Sequence, residues 1–318
     1  MKSRKRLFVK GIIHHCYQRT VDNYLLFYNV VDYLVYFTIF CVTARKYKVQ
    51  VLSLCQMPDH LHQSVKAPSL EVLSGFVGEV TRVFSKVHNE TCHRKGALFD
   101  SPYGSAPKSG DKRARTNLIY VGNNPVERRL CKRAEEYRWN YLAFARSNHP
   151  FSEKLVVREA SCALQKALRE VKRMYADGKP LAYAQLQRMF QSLEVKEKQQ
   201  LTDYIISLYN IIDYQQAIRF FGSYEDMLQA LHSSTGNEYD INERFIGKDD
   251  THYYRMGRIV MQKLKLADIH DVLALPFEEK FEVLKLLRSD TFALNEQIVS
   301  FLRMPVKKGR FSDGIELQ

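Results

Sequence analysis

Residues 49–66 read Val-Gln-Val-Leu-Ser-Leu-Cys-Gln-Met-Pro-Asp-His-Leu-His-Gln-Ser-Val-Lys. Two short runs, Val49 to Gln56 and His60 to Lys66, flank Met57-Pro58-Asp59, where a proline that cannot donate to a strand ladder sets a turn. The spacing predicts a pair of strands. Side chains alternate along a strand, so His60 and His62 fall on one face and can offer two imidazole nitrogens to one divalent cation. Taken alone, the same pair reads more readily as two core or exposed histidines, because such a spacing often arises by chance.

Outward from this pair, Leu7 to Gln18 predicts a strand and Leu26 to Tyr47 a helix. Ser69 to His88 predicts a second helix. Gly96 to Pro107 is an irregular strand or hairpin edge broken by Pro102, Gly104 and Pro107, and a last helix begins near Asp111, a candidate N-cap. Short apolar segments alternating with helix-length ones predict an α+β domain over residues 1–150: a ferredoxin-like or RRM-like antiparallel sheet carrying His60 and His62, with the last helix packed beside it. From 151 to 318 helical periodicity continues with few strand-like runs, so this half is expected to be all-α. Gly178-Lys179-Pro180, Ser233 to Gly236 and Gly247 to Asp250 punctuate it. Within it, 275–304 has a helix-turn-helix look, Phe277 to Arg288 and Leu294 to Leu302 around a turn, though an ordinary helical hairpin has the same pattern.

The chain of 318 residues is 45% apolar, enough for a substantial core, and its net charge of +13 lies in one half. Residues 1–150 hold 24 Lys plus Arg against 11 Asp plus Glu, and residues 151–318 hold 24 against 24. Such asymmetry suits a domain that attracts a polyanion, because cations that neutralise phosphates release condensed counterions. Tyr24 to Ala44 is the one apolar-looking run near membrane-span length, but Asn29 and Asp32 interrupt it, and it reads as a core helix. Leu7 to Ile13 is too short and too charged for a secretory core, so a cytoplasmic location is expected. Six cysteines without paired spacing indicate neither a disulfide framework nor a zinc knuckle.

Asn117-Leu-Ile-Tyr-Val-Gly-Asn-Asn-Pro-Val126 is the second informative stretch. A spacing of four puts Tyr120 and Asn124 on one helix face, a phenol beside an amide oxygen. Gly122 and Pro125 place Asn124 near a helix end or kink. The bland alternative is a core tyrosine before an Asn-Pro turn.

Together the stretches resemble the HUH single-tyrosine transposases, specifically the REP-associated tyrosine transposases typical of bacteria. The family pattern runs from His-x-x-x-Arg through Met-Pro-Asn/Asp-His-x-His to Tyr-x-x-x-Asn-Pro-Val and a later Trp among tyrosines. Here the order is His15 to Arg19, Met57 to His62, Tyr120 to Val126, then Tyr137-Arg138-Trp139-Asn140-Tyr141. The resemblance implies that His60, His62 and Asn124 hold Mg²⁺ or Mn²⁺ and that Tyr120 is the nucleophile. It implies a transposase, or a transposase-derived single-strand endonuclease, that cleaves and rejoins single-stranded or hairpin DNA through a 5′-phosphotyrosine link. The chain departs from the commonest pattern at Gln63-Ser64 and at Glu127-Arg128-Arg129, without loss of an implied ligand or nucleophile.

Lys108, Lys112, Arg113 and Arg115 precede the tyrosine helix, and Arg128, Arg129, Lys132 and Arg133 follow it. Cations on both sides of a nucleophile can hold the phosphates that flank a scissile bond. Arg19, with Tyr17, is a further candidate contact to unpaired bases. Two other readings keep the fold: a catalytically idle DNA-binding or regulatory protein, and a metal phosphoesterase that uses water. The sequence leaves monomer and homodimer equally open.

Overall fold

The computed structural model describes residues 6–100, 102–234 and 249–305. The first of its helices, α1 (Val30–Tyr47), begins at the two polar residues that break the long apolar run. Asn29 Oδ1 accepts from the amides of Val31 and Asp32 at 2.9 and 3.2 Å, and Asp32 Oδ2 accepts from Tyr28 and Asn29 at 2.7 and 3.2 Å. This reciprocal cap satisfies donors that a helix start otherwise leaves open. No described helix is long and apolar enough to cross a membrane.

Four antiparallel strands, β1 (Ile13–Arg19), β2 (Gln50–Gln56), β3 (His60–Lys66) and β4 (Gly104–Lys108), lie in the order β2-β3-β1-β4. With α1 and α2 (Leu70–Thr91) as crossovers, this is the expected ferredoxin-like arrangement. Cys16, Leu54, Leu61 and Val65 carry one face into a core with α1 and α2. The other face receives α3 (Asp111–Glu127), which Gly110 rather than Asp111 caps and which continues through Pro125. Because both faces are covered, β3 is buried from His60 to Val65.

The second half is helical, as expected, but its first helices share the core of the sheet domain. Leu168 of α4 (Cys162–Ala176), Leu186 of α5 (Tyr183–Gln191) and Ile205 of α6 (Val195–Tyr209) belong to the same buried cluster as Leu34 and Phe40 of α1. Next come α7 (Tyr214–Arg219) and α8 (Tyr224–Ser233), which lie against α3. There Gly122 has a packing role: a Cβ on it would meet Leu231 Cδ2 at 2.5 Å. The last helices, α9 (Thr251–Leu264), α10 (Asp271–Ala274), α11 (Phe277–Asp290) and α12 (Asn295–Leu302), form a separate cluster into which Leu25 inserts. The helix pair expected within 275–304 is present, yet Gln297 to Leu302 are all buried. α12 therefore offers no free face to a major groove in this arrangement.

A buried polar network joins these parts. Asp32 accepts from Tyr183 Oη at 2.8 Å and from His270 Nε2 at 3.0 Å, while His270 Nδ1 lies 2.6 Å from Asp268. Arg303 reaches His88 Nε2 at 3.0 Å and donates to Leu25 O at 2.7 Å. Burial alone would lower the His270 pKa, but the Asp32 and Asp268 carboxylates override it and hold it up at about 10. Burial alone would raise Asp32, and the His270 charge brings it down to about 2.

The stabilisation from His270 is full below its ordinary 6.5 and is lost as pH climbs toward about 10. That from Asp32 is full above 3.8 and is lost as pH falls toward about 2. Thermal melts should therefore show the stability gap between wild type and His270→Gln widest near pH 4–6.5. Asp32→Asn, which strands a buried imidazolium, should cost about 3–5 kcal/mol there. A gap between wild type and His270→Gln that does not narrow from pH 6 to pH 9.5 would remove the ion pair from this account.

Candidate functional site

The face of the sheet under α3 is built by matching two periods. One turn of a helix advances about 5.4 Å and two strand residues about 6.6 Å, so successive turns of a helix lying along a strand meet successive same-face positions. Here Asn117 of α3 meets Ser64, whose Oγ donates to Asn117 Oδ1 at 2.7 Å. One turn on, the Tyr120 ring stands edge-on to His62, with centroids 5.3 Å apart. A further turn on, Asn124 Oδ1 lies 3.2 Å from His60 Nε2. Both sequence motifs thus arrive at one place from elements far apart in the chain.

Each histidine is anchored through Nδ1. His60 Nδ1 is in a short contact with the Asp59 carboxylate, and a carboxylate can only accept, so this nitrogen carries a proton; in the neutral ring Nε2 then presents a lone pair. His62 Nδ1 lies 3.0 Å from His15 Nε2. Burial, followed by the neighbouring His60, His15, Arg19 and Arg128, pushes the His62 pKa well below the ordinary histidine value, so it is neutral. In the tautomer with its proton on Nδ1, directed at His15, His62 also turns a lone pair outward from Nε2. That Nε2 is buried and has no hydrogen-bond partner among the described residues.

The Asn124 amide is oriented by Nδ2, which lies 3.4 Å from Tyr120 O, leaving Oδ1 toward His60. With both imidazoles neutral and protonated on Nδ1, His60 Nε2, His62 Nε2 and Asn124 Oδ1 are three acceptors at one buried place, the two rings 4.9 Å apart and His60 Nε2 3.2 Å from Oδ1. Uncompensated, such a gathering of buried acceptors costs about 1–3 kcal/mol for each unsatisfied group. A divalent cation would satisfy all three at once; the amide oxygen and water suit Mg²⁺ or Mn²⁺, while the two imidazoles favour Mn²⁺ over the harder Mg²⁺. These residues fit the metal that the motif order implies. Among the described residues there is no cluster of three or more His, Cys, Asp or Glu suited to a metal.

Tyr120 is 3% exposed and lies between the rings of His15 and His62. Arg19, exposed at the end of β1, is opposite His60 in the sheet register, and Tyr17, also exposed, is opposite His62. Lys108 ends β4. Lys112, Arg113 and Arg115 are exposed on the first turns of α3, and Arg115 Nη1 donates to Phe220 O at 3.3 Å. Arg129, Lys132 and Arg133 are exposed beyond the other end of α3, so cations lie at both ends of the helix that carries Tyr120. Arg128 differs from its neighbours. It is largely buried, with Nη1 3.8 Å from the Asp250 carboxylate, and so is drawn toward α9 rather than outward.

Sequence reasoning gave no role to His15 and Asp59, the two groups that orient the histidine pair, or to Ser64, which grips α3. His15 lies opposite Ser64, and it reaches His62 only as a diagonal neighbour across β1 and β3, which requires the register to be known. Asp59 was within reach, because a carboxylate beside a metal-type histidine is the usual partner for the second ring nitrogen.

Residues 9–124 match the family model described as "Transposase IS200 like". No curated protein matches the chain. Among solved structures, the chain is similar to a REP-associated tyrosine transposase bound to a REP hairpin, at 15% identity and a TM-score of 0.40 over 45% of this chain and 84% of that one.

Proposed function

We propose, from the match of residues 9–124 to the IS200-like transposase model, that the chain is a metal-dependent DNA strand-transferase, a transposase or a single-strand endonuclease derived from one, with Tyr120 as its nucleophile. The observation that carries this reading is the convergence of His60 Nε2, His62 Nε2 and Asn124 Oδ1 beside the Tyr120 ring.

A divalent cation bound there would draw charge from a non-bridging phosphate oxygen and so make the phosphorus a better electrophile. The chain's own residues do the rest. β3 and α3 fix the ligands relative to Tyr120 Oη, which attacks phosphorus. The bond to the 3′-oxygen breaks, and that oxygen leaves as a 3′-hydroxyl after taking a proton. A free phenol ionises near 10, so Tyr120 gives up its own proton as it attacks. The new phosphotyrosine ester retains the energy of the cleaved bond, so a second 3′-hydroxyl can reverse the step and join strands without a nucleotide cofactor. Lys112, Arg113 and Arg129 hold the backbone on either side, contacts that position a strand without reading its sequence.

Tyr120 is buried, so a strand reaches it only when the surrounding chain opens. The same burial favours the second reading, a protein that binds DNA and leaves it intact. The deciding experiment is incubation of the full chain with labelled single-stranded and hairpin oligonucleotides from the DNA flanking its coding region, with Mn²⁺ or with EDTA, followed by denaturing electrophoresis. The expected result is an SDS-resistant protein–DNA adduct that forms with Mn²⁺ and not with EDTA. Binding without adduct or cut product across the whole set would select the second reading, and cut product without adduct would select hydrolysis by water.

A further inference from the structure

Beyond the tyrosine site, an open cleft of about 350 Å³ lies where the chain following α3 meets α6 and α9. We propose that this cleft holds one unpaired base of the bound strand. The inference rests on the strand-binding reading above, but every residue that lines the cleft lies beyond 124, outside the family match.

The walls are aromatic and held in place. Tyr254 of α9 is 44% exposed, and its hydroxyl end is turned toward Tyr33 and Tyr137, whose own hydroxyls lie 3.4 Å apart in the core. Its ring thus has a buried end and an open flank. Trp139 is stacked on Tyr33 at a centroid distance of 4.3 Å and an interplanar angle of 7°. Phe151, under the Arg138 guanidinium, completes the apolar lining. Platforms fixed in advance lose little rotamer entropy when a flat ligand settles on them. Gln199 adds an amide, donor and acceptor together, at the edge where a base carries its polar groups. The volume is at the lower end of the range of about 300–1,000 Å³ for small-ligand sites.

Charge around the cleft narrows the occupant. Arg129, Lys132 and Arg133 on one side and Arg255 and Arg258 of α9 on the other are exposed, and none forms an ion pair among the described residues. Glu136, the acidic residue of the lining, is occupied by the backbone amides of Lys132 and Arg133 at 3.2 and 3.1 Å. An aromatic slot within a cationic rim is the means by which proteins hold single strands, with phosphates on the rim and a base in the slot. The position also fits. Leu130, part of the lining, donates its amide to Pro125 O at 2.9 Å, one residue past Asn124, and the Asp250 amide bonds to Arg128 O at 3.0 Å, fixing the start of α9 to the end of α3. A strand whose phosphate lies at Asn124 passes the cleft within a few nucleotides.

Trp139 is the single tryptophan of the chain, so tryptophan emission reports on the surroundings of this one lining residue. The test uses the full-length Tyr120→Phe protein, which cannot cut, titrated with short single-stranded oligonucleotides while tryptophan emission and anisotropy of a labelled strand are followed together. Saturable quenching is expected that tracks binding and disappears when one particular position of the strand is made abasic. Tyr254→Ala should weaken binding by roughly 5- to 150-fold, the range for loss of one base–aromatic stack. Binding without quenching, or quenching indifferent to an abasic site at every position, would overturn the cleft while leaving strand binding in place. No anisotropy change would overturn both, and an adduct formed by the wild type without quenching would overturn the cleft alone.

Discussion

Tyr120→Phe should abolish the covalent protein–DNA adduct and lower strand cleavage by at least about 10⁴-fold, the scale on which an enzyme loses rate with its nucleophile. The substitution removes one oxygen and leaves the ring between His15 and His62, so packing is preserved. Strand affinity should change little, because the contacts proposed to hold the backbone are cations at the two ends of α3. The measurement is single-turnover cleavage with denaturing electrophoresis, alongside anisotropy for binding. An adduct of undiminished yield in the variant would mean that another residue attacks. Tyr17, exposed and opposite His62 in the sheet register, is then the first to replace.

His62→Ala should lower Mn²⁺ affinity by more than about 100-fold, beyond the loss typical of a group that merely orients a ligand. The structure also predicts an effect without DNA. At a Mn²⁺ concentration 100 times its dissociation constant, the wild type should gain about 2.7 kcal/mol of stability and melt at a higher temperature. The variant should gain almost none. Electron paramagnetic resonance of free Mn²⁺ gives the affinity and a thermal melt with and without Mn²⁺ gives the linkage. Equal shifts in both proteins would place the cation elsewhere. Without metal the substitution removes an unsatisfied buried Nε2 but opens a cavity and leaves His15 without its neighbour, so the melt must be compared within each protein.

The order of strands and helices was readable because each carries a local signal: the proline turn at Met57 to Asp59, the alternation that pairs His60 with His62, and the four-residue step from Tyr120 to Asn124. The strand over His60–Lys66 was found to the residue. Asn29 and Asp32 were noticed as interruptions, but as the capping pair of α1 they are also its beginning. Three features were not legible. The His15 contact needs the diagonal of a strand pair, and the Arg128–Asp250 pair needs α9 at the end of α3. The shared core of α1 with α4, α5 and α6 has no mark in composition, because an apolar helix face has the same pattern whether it closes its own domain or another's. The burial of α12 follows the same logic, since a helix pair reads alike whether its second member faces solvent or the protein.

The contacts of α12 set a clock on biosynthesis. Leu25 donates its amide to Ser300 O, Tyr28 its hydroxyl to Phe301 O and Tyr24 its hydroxyl to Met304 O, bonds that span 273 to 280 residues for the two tyrosines. At about 5–20 residues per second, a ribosome takes roughly 15–55 s to travel that far. Throughout that interval the stretch leading into α1 has emerged and its partners have not been made. The sheet and its histidines can assemble early, whereas the seam between Asn23 and Tyr28 closes only when synthesis has reached Met304.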